Sequence, residues 1–333
     1  MQDQPLKLKP IAILGAGSWG TALALYLGRL GQTVNLWSVD KSEIDAILKD
    51  HENKRFMPGF TFPDTIHPTH DLAHAIQDVD DILMVVPSVG FRDTLVKLKP
   101  LIKPEARIIC ASKGLDTHTG QLLGDIALEV MGVERPFAVL SGPSFAREVA
   151  AGLPCAVVVA SLNLSLAADL KLRFNSPIFR IYTSDDVIGV EVGGVAKNVI
   201  AIATGIADGM ELGCNARSAL ITRGLAEVMR LGVALGGKIE TLVGLSGLGD
   251  LILTCSDNQS RNRRLGLAIG KGHNIHEAEK EIGQIVEGKR NAELIAKLAR
   301  RYEIEMPICE TVMEILEDRI SVNDAIDKLL SRK

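Results

Sequence analysis

Lys197 stands in the middle of EVGGVAKNVIAIATG (residues 191–205), a run made mostly of small and apolar side chains. The spacing predicts a helix buried nearly all round, and a lysine is almost never fully buried unless something pairs with it. Either the helix has one wet edge, or this ammonium stands inside to do chemistry. A partner is on offer in GLSGLGDLILTC (residues 244–255), where Gly244, Gly247 and Gly249 crowd the chain before Asp250. From spacing alone Asp250 reads equally well as a turn aspartate after glycine and as the carboxylate that balances Lys197.

Ten residues further on come Ser260, Arg261 and Asn262, followed by Arg263 and Arg264. Ser260 is a good N-cap, so the amides behind it and the helix dipole would point at an anion. An arginine fork there suits a phosphate, held by two parallel hydrogen bonds. Arg263 and Arg264 are read as a solvated basic helix start. CASKGLD (residues 110–116) and LSGPSFARE (residues 140–148) place Lys113, Gly142, Pro143 and Ser144 just past β-type runs. Ligands of open parallel sheets bind beyond the carboxyl ends of the strands, so both loops are expected to face a cofactor crevice. His70 and His74, with His67 before them, are read as a solvated helix start and not a metal site, because no third ligand accompanies them.

Elements must position these groups. PIAILG, TVNLW, DILMVVP, RIICAS, FAVLSG and CAVVVA are short runs rich in Val, Ile and Leu without polar alternation, as expected of strands covered on both faces. Helical spacing in TALALYLGRLG and SEIDAILKDHE separates the early ones, which implies right-handed crossovers and a mostly parallel sheet. Beyond about residue 187 strand signals nearly vanish and helical patterns follow one another. The expected fold is α/β: a Rossmann-type doubly wound sheet over residues 1–190 that binds a dinucleotide, then an all-helical substrate and catalytic domain over 191–333.

The first strand runs into GAGSWG, with Gly15, Gly17 and Gly20 in GxGxxG spacing. A strand before it and a helix after it are the context in which this pattern binds a dinucleotide. Gly15 makes the tight turn, Gly17 admits a pyrophosphate to the backbone, and Gly20 lets helix and strand pack closely. Asp40, about twenty residues beyond, suits a ribose 2′-hydroxyl and NAD. Lys41 suits a 2′-phosphate and NADP, and Asp40 reads as well as a cap for the helix starting near Ser42. All three readings stay open.

Composition bounds the function. The 333 residues are 47% hydrophobic and 23% charged, with a formal net charge of −4 and 4% aromatics, which argues against a broad nucleic-acid surface and its stacking platforms. MQDQPLKLKP has no apolar core, so it reads as neither signal peptide nor anchor, and Glu191 and Lys197 count against a membrane span in the most apolar stretch. Five scattered cysteines without CxxC spacing fit a reducing cytoplasm. A homodimer is the default expectation, closed pairs being the commonest oligomers.

Taken in order, GAGSWGTALA, ASKGLD, LSGPSFARE, EVGGVAKNVIAIATGI, GLSGLGDLILTC, SRN and VEG resemble the bacterial NAD(P)-dependent glycerol-3-phosphate dehydrogenases, from residue 15 to 288. The resemblance implies reversible reduction of dihydroxyacetone phosphate to sn-glycerol 3-phosphate, which supplies the backbone of phospholipids. It implies Lys197 as the proton acceptor of the oxidation direction. Lys113, Gly142, Ser144, Asp250, Ser260, Arg261 and Asn262 match its substrate-binding positions, and Ser18, Trp19, Lys113, Ala146, Arg261, Ile285 and Glu287 its cofactor contacts. Where many members carry a basic residue after the second strand, this chain has Ser38 and Val39, a departure that bears on NADP preference. Two rivals are a 3-hydroxy acid dehydrogenase of the same two-domain plan and a non-catalytic sensor of the nicotinamide ratio. The first would need a cationic clamp for a carboxylate. The second need not keep Lys197, Asp250 and Arg261 together.

Overall fold

The structure, a computed structural model, describes residues 8–284 and 286–331. The chain forms two compact units. The first takes the chain up to Ser112, then Gly124–Leu140 and Ser144–Asp185; the second takes Lys113–Leu123, Ser141–Pro143 and the chain from Asp186 onward.

In the first unit eight strands form one sheet: β1 (Ile11–Leu14), β2 (Val34–Trp37), β3 (Ile66–Thr69), β4 (Asp81–Met84), β5 (Arg107–Cys110), β6 (Phe137–Ser141), β7 (Cys155–Ala160) and β8 (Phe179–Ser184). Their order is β3-β2-β1-β4-β5-β6-β7-β8, and β1 pairs in parallel with β2 and β4, β2 with β3, β4 with β5, β5 with β6 and β7 with β8. The strand order reverses between β1 and β4, the switch point at which doubly wound sheets bind ligands. Helices α1 (Ser18–Arg29), α2 (Lys41–Asp50), α3 (Leu72–Ala75), α4 (Ser88–Leu98), α5 (Leu123–Met131), α6 (Ala146–Ala151) and α7 (Leu164–Phe174) connect them. The six apolar runs of the sequence are all strands. The two strands without such a run, β3 and β8, are the two edges of the sheet. β8 alternates buried Phe179 and Ile181 with exposed Arg180 and Tyr182, as a strand covered on one face does.

The second unit is helical: α8 (Val187–Gly209), α9 (Gly213–Ala234), α10 (Ile239–Leu242), a π turn (Leu245–Gly249), α11 (Asp250–Ser256), α12 (Arg261–Gly270), α13 (Ile275–Ile282), α14 (Glu287–Arg301), α15 (Pro307–Leu316) and α16 (Val322–Ser331). Its central helix α8 starts at Val187 with Asp186 as its cap, so a boundary after residue 190 passes through its first turn. The physical cause is Asp186, whose carboxylate accepts from the amides of Gly189 and Lys238, each at 2.8 Å. Every residue of α8 from Gly189 to Ala207 is buried. Leu115 and Leu122, bridged to each other across the Lys113–Leu123 segment, belong to the core around it.

α8 and α12 pack backbone against backbone. A Cβ on Gly266 would stand 2.0 Å from the Ile202 carbonyl oxygen, and one on Gly205 would stand 2.2 Å from that of Arg263. Nothing larger than hydrogen fits between them. Gly266→Ala is therefore expected to lower stability by about 1–3 kcal/mol, although alanine is the better helix former by roughly 1 kcal/mol. Gly90→Ala in α4, with no atom within 4 Å of the added Cβ, is the control expected to be neutral or stabilising. Urea unfolding of both variants checks the contrast.

Candidate active site

Lys197 lies midway along α8 and is 7% exposed. Its Nζ donates to Oδ1 of Asp250 at 2.5 Å, so of the two readings the sequence left open, Asp250 is the charge partner. The other carboxylate oxygen, Oδ2, accepts from Lys113 Nζ at 2.7 Å, and that ammonium also reaches the Gly142 carbonyl at 3.2 Å. One carboxylate, 1% exposed, thus stands between two ammonium groups. With both lysines protonated the cluster has one positive charge in excess, in surroundings where a charge is weakly screened.

The π turn sets this geometry. Gly249 N donates to Gly244 O at 3.0 Å, an i→i+5 bond that delivers Asp250 to the first turn of α11. A Cβ on Gly247 would lie 1.9 Å from Leu242 O, so the tight winding needs glycine there. On α8, a Cβ at Gly193 would lie 2.4 Å from Ser246 O, so the turn rests on the bare face of the helix one turn before Lys197. Ser246 Oγ donates to Ser141 O at 3.3 Å, which fastens the Ser141–Pro143 segment beside Lys113. Such π turns are enriched at functional sites, and GLSGLGD carries no periodicity that announces one.

Burial drives the Lys197 ammonium down from an ordinary lysine value to about 7, with Asp250 opposing the shift and Lys113 adding to it. For Asp250 burial acts upward, but Lys113 and Lys197 outweigh it and hold the carboxyl below the usual carboxylate range.

Ser260 caps α12, its hydroxyl accepting from Arg263 N at 3.2 Å. Asn262 is buried: Nδ2 donates to Asn198 Oδ1 and Oδ1 accepts from Gly288 N, both at 2.9 Å. It therefore locks α12 to α8 beside Lys197 and to the start of α14. Arg261, half-buried at the N-terminus of α12, donates to Gln284 Oε1 at 3.2 Å; burial lowers its pKa and the Glu287 charge raises it. The structure thus brings Lys113, Gly142, Lys197 and Asp250 together, and sets Asn262, preceded by Arg261, against Asn198, the residue after Lys197. Asn198 was missed because a neutral amide in an apolar helix gives no signal until its partner is known. Arg263 is a correction. It is 7% exposed rather than solvated, because Nη1 forms an ion pair with Asp208 at 2.6 Å. Arg264 is exposed. Ile285 lies outside the described residues.

In the first unit the glycine turn has the shape a dinucleotide needs. Gly15 has φ +124°, and a Cβ there would meet the Val85 backbone at 2.8 Å; one on Gly20 would meet Gly15 O at 1.8 Å. Around Gly17, by contrast, there is no atom within 4 Å of an added Cβ, and no side chain caps α1, which opens with Ser18 and Trp19. That open cradle at a helix N-terminus fits a pyrophosphate. Trp19 Nε1 is buried and makes no hydrogen bond. Ser144 precedes α6, which begins at Ala146 and packs against α1. Asp40 is the cap of α2, accepting from the amides of Ser42 and Glu43. His67 lies on β3 and His74 on α3, with His70 between the two elements. Among the described residues no group of three or more His, Cys, Asp or Glu is placed to hold a metal.

Known proteins are similar to this chain over nearly its whole length. Residues 10–167 match the family model described as NAD-dependent glycerol-3-phosphate dehydrogenase N-terminus, and residues 186–327 match its C-terminus. The chain belongs to this family. Glycerol-3-phosphate dehydrogenase [NAD(P)+] of Tolumonas auensis is 49% identical over 323 residues, 97% of each chain, and that of Alkalilimnicola ehrlichii is 50% identical over 324 residues, again 97% of each. The crystal structure of glycerol-3-phosphate dehydrogenase from Coxiella burnetii superimposes with a TM-score of 0.95 at 49% identity, covering 98% of this chain and 100% of that one. D-mandelate dehydrogenase, at 15% identity and a TM-score of 0.63, shares the fold alone.

For this dehydrogenase-family chain the buried lysine has a thermodynamic signature. With a folded pKa near 7 and an unfolded value near 10.5, Lys197 binds fewer protons in the folded state between those limits, so its contribution becomes more favourable as pH rises through that window. Urea unfolding at pH 7 and pH 9 is expected to show the wild type gaining stability relative to Lys197→Met at the higher pH.

Proposed function

We propose that the protein catalyses the reversible NAD(P)H-dependent reduction of dihydroxyacetone phosphate to sn-glycerol 3-phosphate, the backbone of glycerophospholipids. The observation that carries this reading is the Lys197–Asp250–Lys113 cluster, with Asn262 locked beside it, in a chain of the glycerol-3-phosphate dehydrogenase family.

Bound reduced nicotinamide supplies a hydride to the ketone carbon. As that carbon accepts it, negative charge develops on the ketone oxygen, and the Lys197 ammonium stabilises the charge and then gives up a proton to it. With a pKa near 7, Lys197 exchanges that proton readily in either direction. Asp250 is assigned to orient Lys197 and balance its charge. Lys113 and the excess positive charge attract the anionic substrate. Arg261 and Asn262, at the N-terminus of α12, are assigned to the phosphate, and Gly142, Ser144 and Ser260 to further substrate contacts. Gly15, Gly17, Ser18, Trp19 and Gly20 are assigned to the cofactor, with Lys113, Ala146, Arg261, Ile285 and Glu287. The first unit is thus the dinucleotide-binding domain and the second the substrate and catalytic domain. No observation favours a 3-hydroxy acid dehydrogenase, and the joint presence of Lys197, Asp250 and Arg261 counts against a sensor.

A cytoplasmic homodimer without membrane insertion completes the proposal. Val187–Gly209 is long and apolar enough to cross a membrane, yet 89% of its most apolar stretch is buried in the protein, as befits a core helix; Ile239–Ser256 passes the same test with 39% buried, but it is broken by the π turn and carries Asp250. Free cysteines at 110, 155, 214, 255 and 309 fit a reducing compartment.

Absorbance of the reduced nicotinamide, followed with dihydroxyacetone phosphate, tests the reaction directly: rapid oxidation supports it, and none with either cofactor overturns it. Lys197→Ala is expected to lower kcat by about 10²–10⁴-fold with cofactor affinity nearly intact. Arg261→Ala should mainly raise KM, by about tenfold or more, if the phosphate docks at α12. Because the ammonium serves reduction and the free amine serves oxidation, the reduction rate should fall and the oxidation rate rise as pH passes about 7.

A further inference from the structure

The second strand ends against the glycine turn. Gly15 N donates to Trp37 O at 2.8 Å, and the buried Asn53 donates to Ala16 O at 2.7 Å, pinning the turn from the other side. In a doubly wound nucleotide domain the adenosine ribose lies at this place, and the group that meets its 2′ position separates the two cofactors: a carboxylate accepts from the free hydroxyl, a cation takes the phosphate.

The two charged residues that follow β2 most closely are already engaged. Asp40 caps α2, accepts from Ser42 Oγ at 2.6 Å, and pairs with Arg55 at 3.6 Å. Lys41 pairs with Asp45 at 2.6 Å. Arg55 lies over the Phe56 ring at 5.0 Å while holding Asp40. Ser38, the first residue after the strand, is engaged in another way: its hydroxyl donates to Glu43 Oε2 at 2.6 Å. Glu43 sits in the first turn of α2, and its second oxygen, Oε1, is buried. Burial raises the Glu43 pKa and the Asp40 charge adds to it, against the pull of the Ser38 hydroxyl, the Arg55 charge and the Asn53 side chain.

We infer that Ser38 and Glu43 together make the cofactor-selecting group of this chain, and that it selects NAD over NADP. The inference rests on the reading of the first unit as the nicotinamide-nucleotide domain. Ser38 carries a carboxylate to the strand end, where an acidic residue would otherwise stand. A ribose diol gives that carboxylate a donor. A 2′-phosphate brings like charge against a carboxylate that is already partly desolvated, and Arg55 is engaged with Asp40.

Equilibrium binding of NADH and NADPH, read by nicotinamide fluorescence without substrate, tests this. The wild type is expected to bind NADH at least about tenfold more tightly than NADPH. Glu43→Gln should narrow that ratio by about tenfold, chiefly by tightening NADPH, and Ser38→Ala should narrow it less. A wild type that binds NADPH as well as NADH overturns the inference, because Arg55 must then leave Asp40 for the phosphate. A ratio left unmoved by Glu43→Gln overturns it as well. Failure of both nucleotides to bind would remove the nucleotide-domain reading itself, and this inference with it.

Discussion

Asp250 is held between Lys197 and Lys113, and this buried two-to-one pairing constrains everything around it. A lone ammonium inside a helix as apolar as α8 would be too costly to keep, and a neutral pair would have no reason to attract an anion. Two lysines on one carboxylate satisfy both demands. The ion cluster survives burial because the charges meet at hydrogen-bond distance, and it carries a net positive charge below about pH 7, while both lysines hold their protons. The same arrangement leaves Lys197 with a proton it can release near neutrality, since burial and the second lysine push in one direction and Asp250 in the other.

Holding three charged groups so closely demands backbone where side chains would normally stand. Gly193 clears a face of α8 for the π turn, Gly247 permits the turn itself, and Gly205 and Gly266 let α12 lie against α8 with no side chain between. Asn262 then reaches Asn198 across that narrow seam. The glycines thus act at a distance from the chemistry: each removes a side chain so that a polar group elsewhere arrives in register. Stability and site geometry are determined by the same close packing, because interiors yield little to added volume.

Most of this was legible in the sequence where one residue type settles the matter. An apolar run of four to seven residues announces a strand buried on both faces, so six of the eight strands stood out. β3, reading IHPT, and β8, reading FRIYTS, did not, because an edge strand keeps polar residues and gives no continuous apolar signal. A lysine inside an apolar helix announced a buried charge partner, and Ser260 announced a cap. What stayed hidden were pairings between distant parts of the chain: Lys113 with Asp250, Asn198 with Asn262, Arg263 with Asp208, Ser38 with Glu43. Local spacing cannot reveal these, since each depends on the path of the backbone between its two members. Asp40 shows the converse, a residue with two reasonable roles of which the helix start takes one.

The helical unit is not a continuous piece of chain, and this bears on how it is made. Lys113–Leu123 belongs to it, yet leaves the ribosome long before α8, α9 and α14 have been synthesised. At about 5–20 residues per second, Leu115 and Leu122 wait on the order of 10–40 s for the helices that will enclose them. During synthesis the sheet can close around its own core while this loop stays open, carrying one of the two lysines of the future cluster. A polypeptide beginning at Asp186, however well its helices form, would lack both those leucines and that charge. Maturation of the site is therefore a late event, set by the arrival of the far end of the chain.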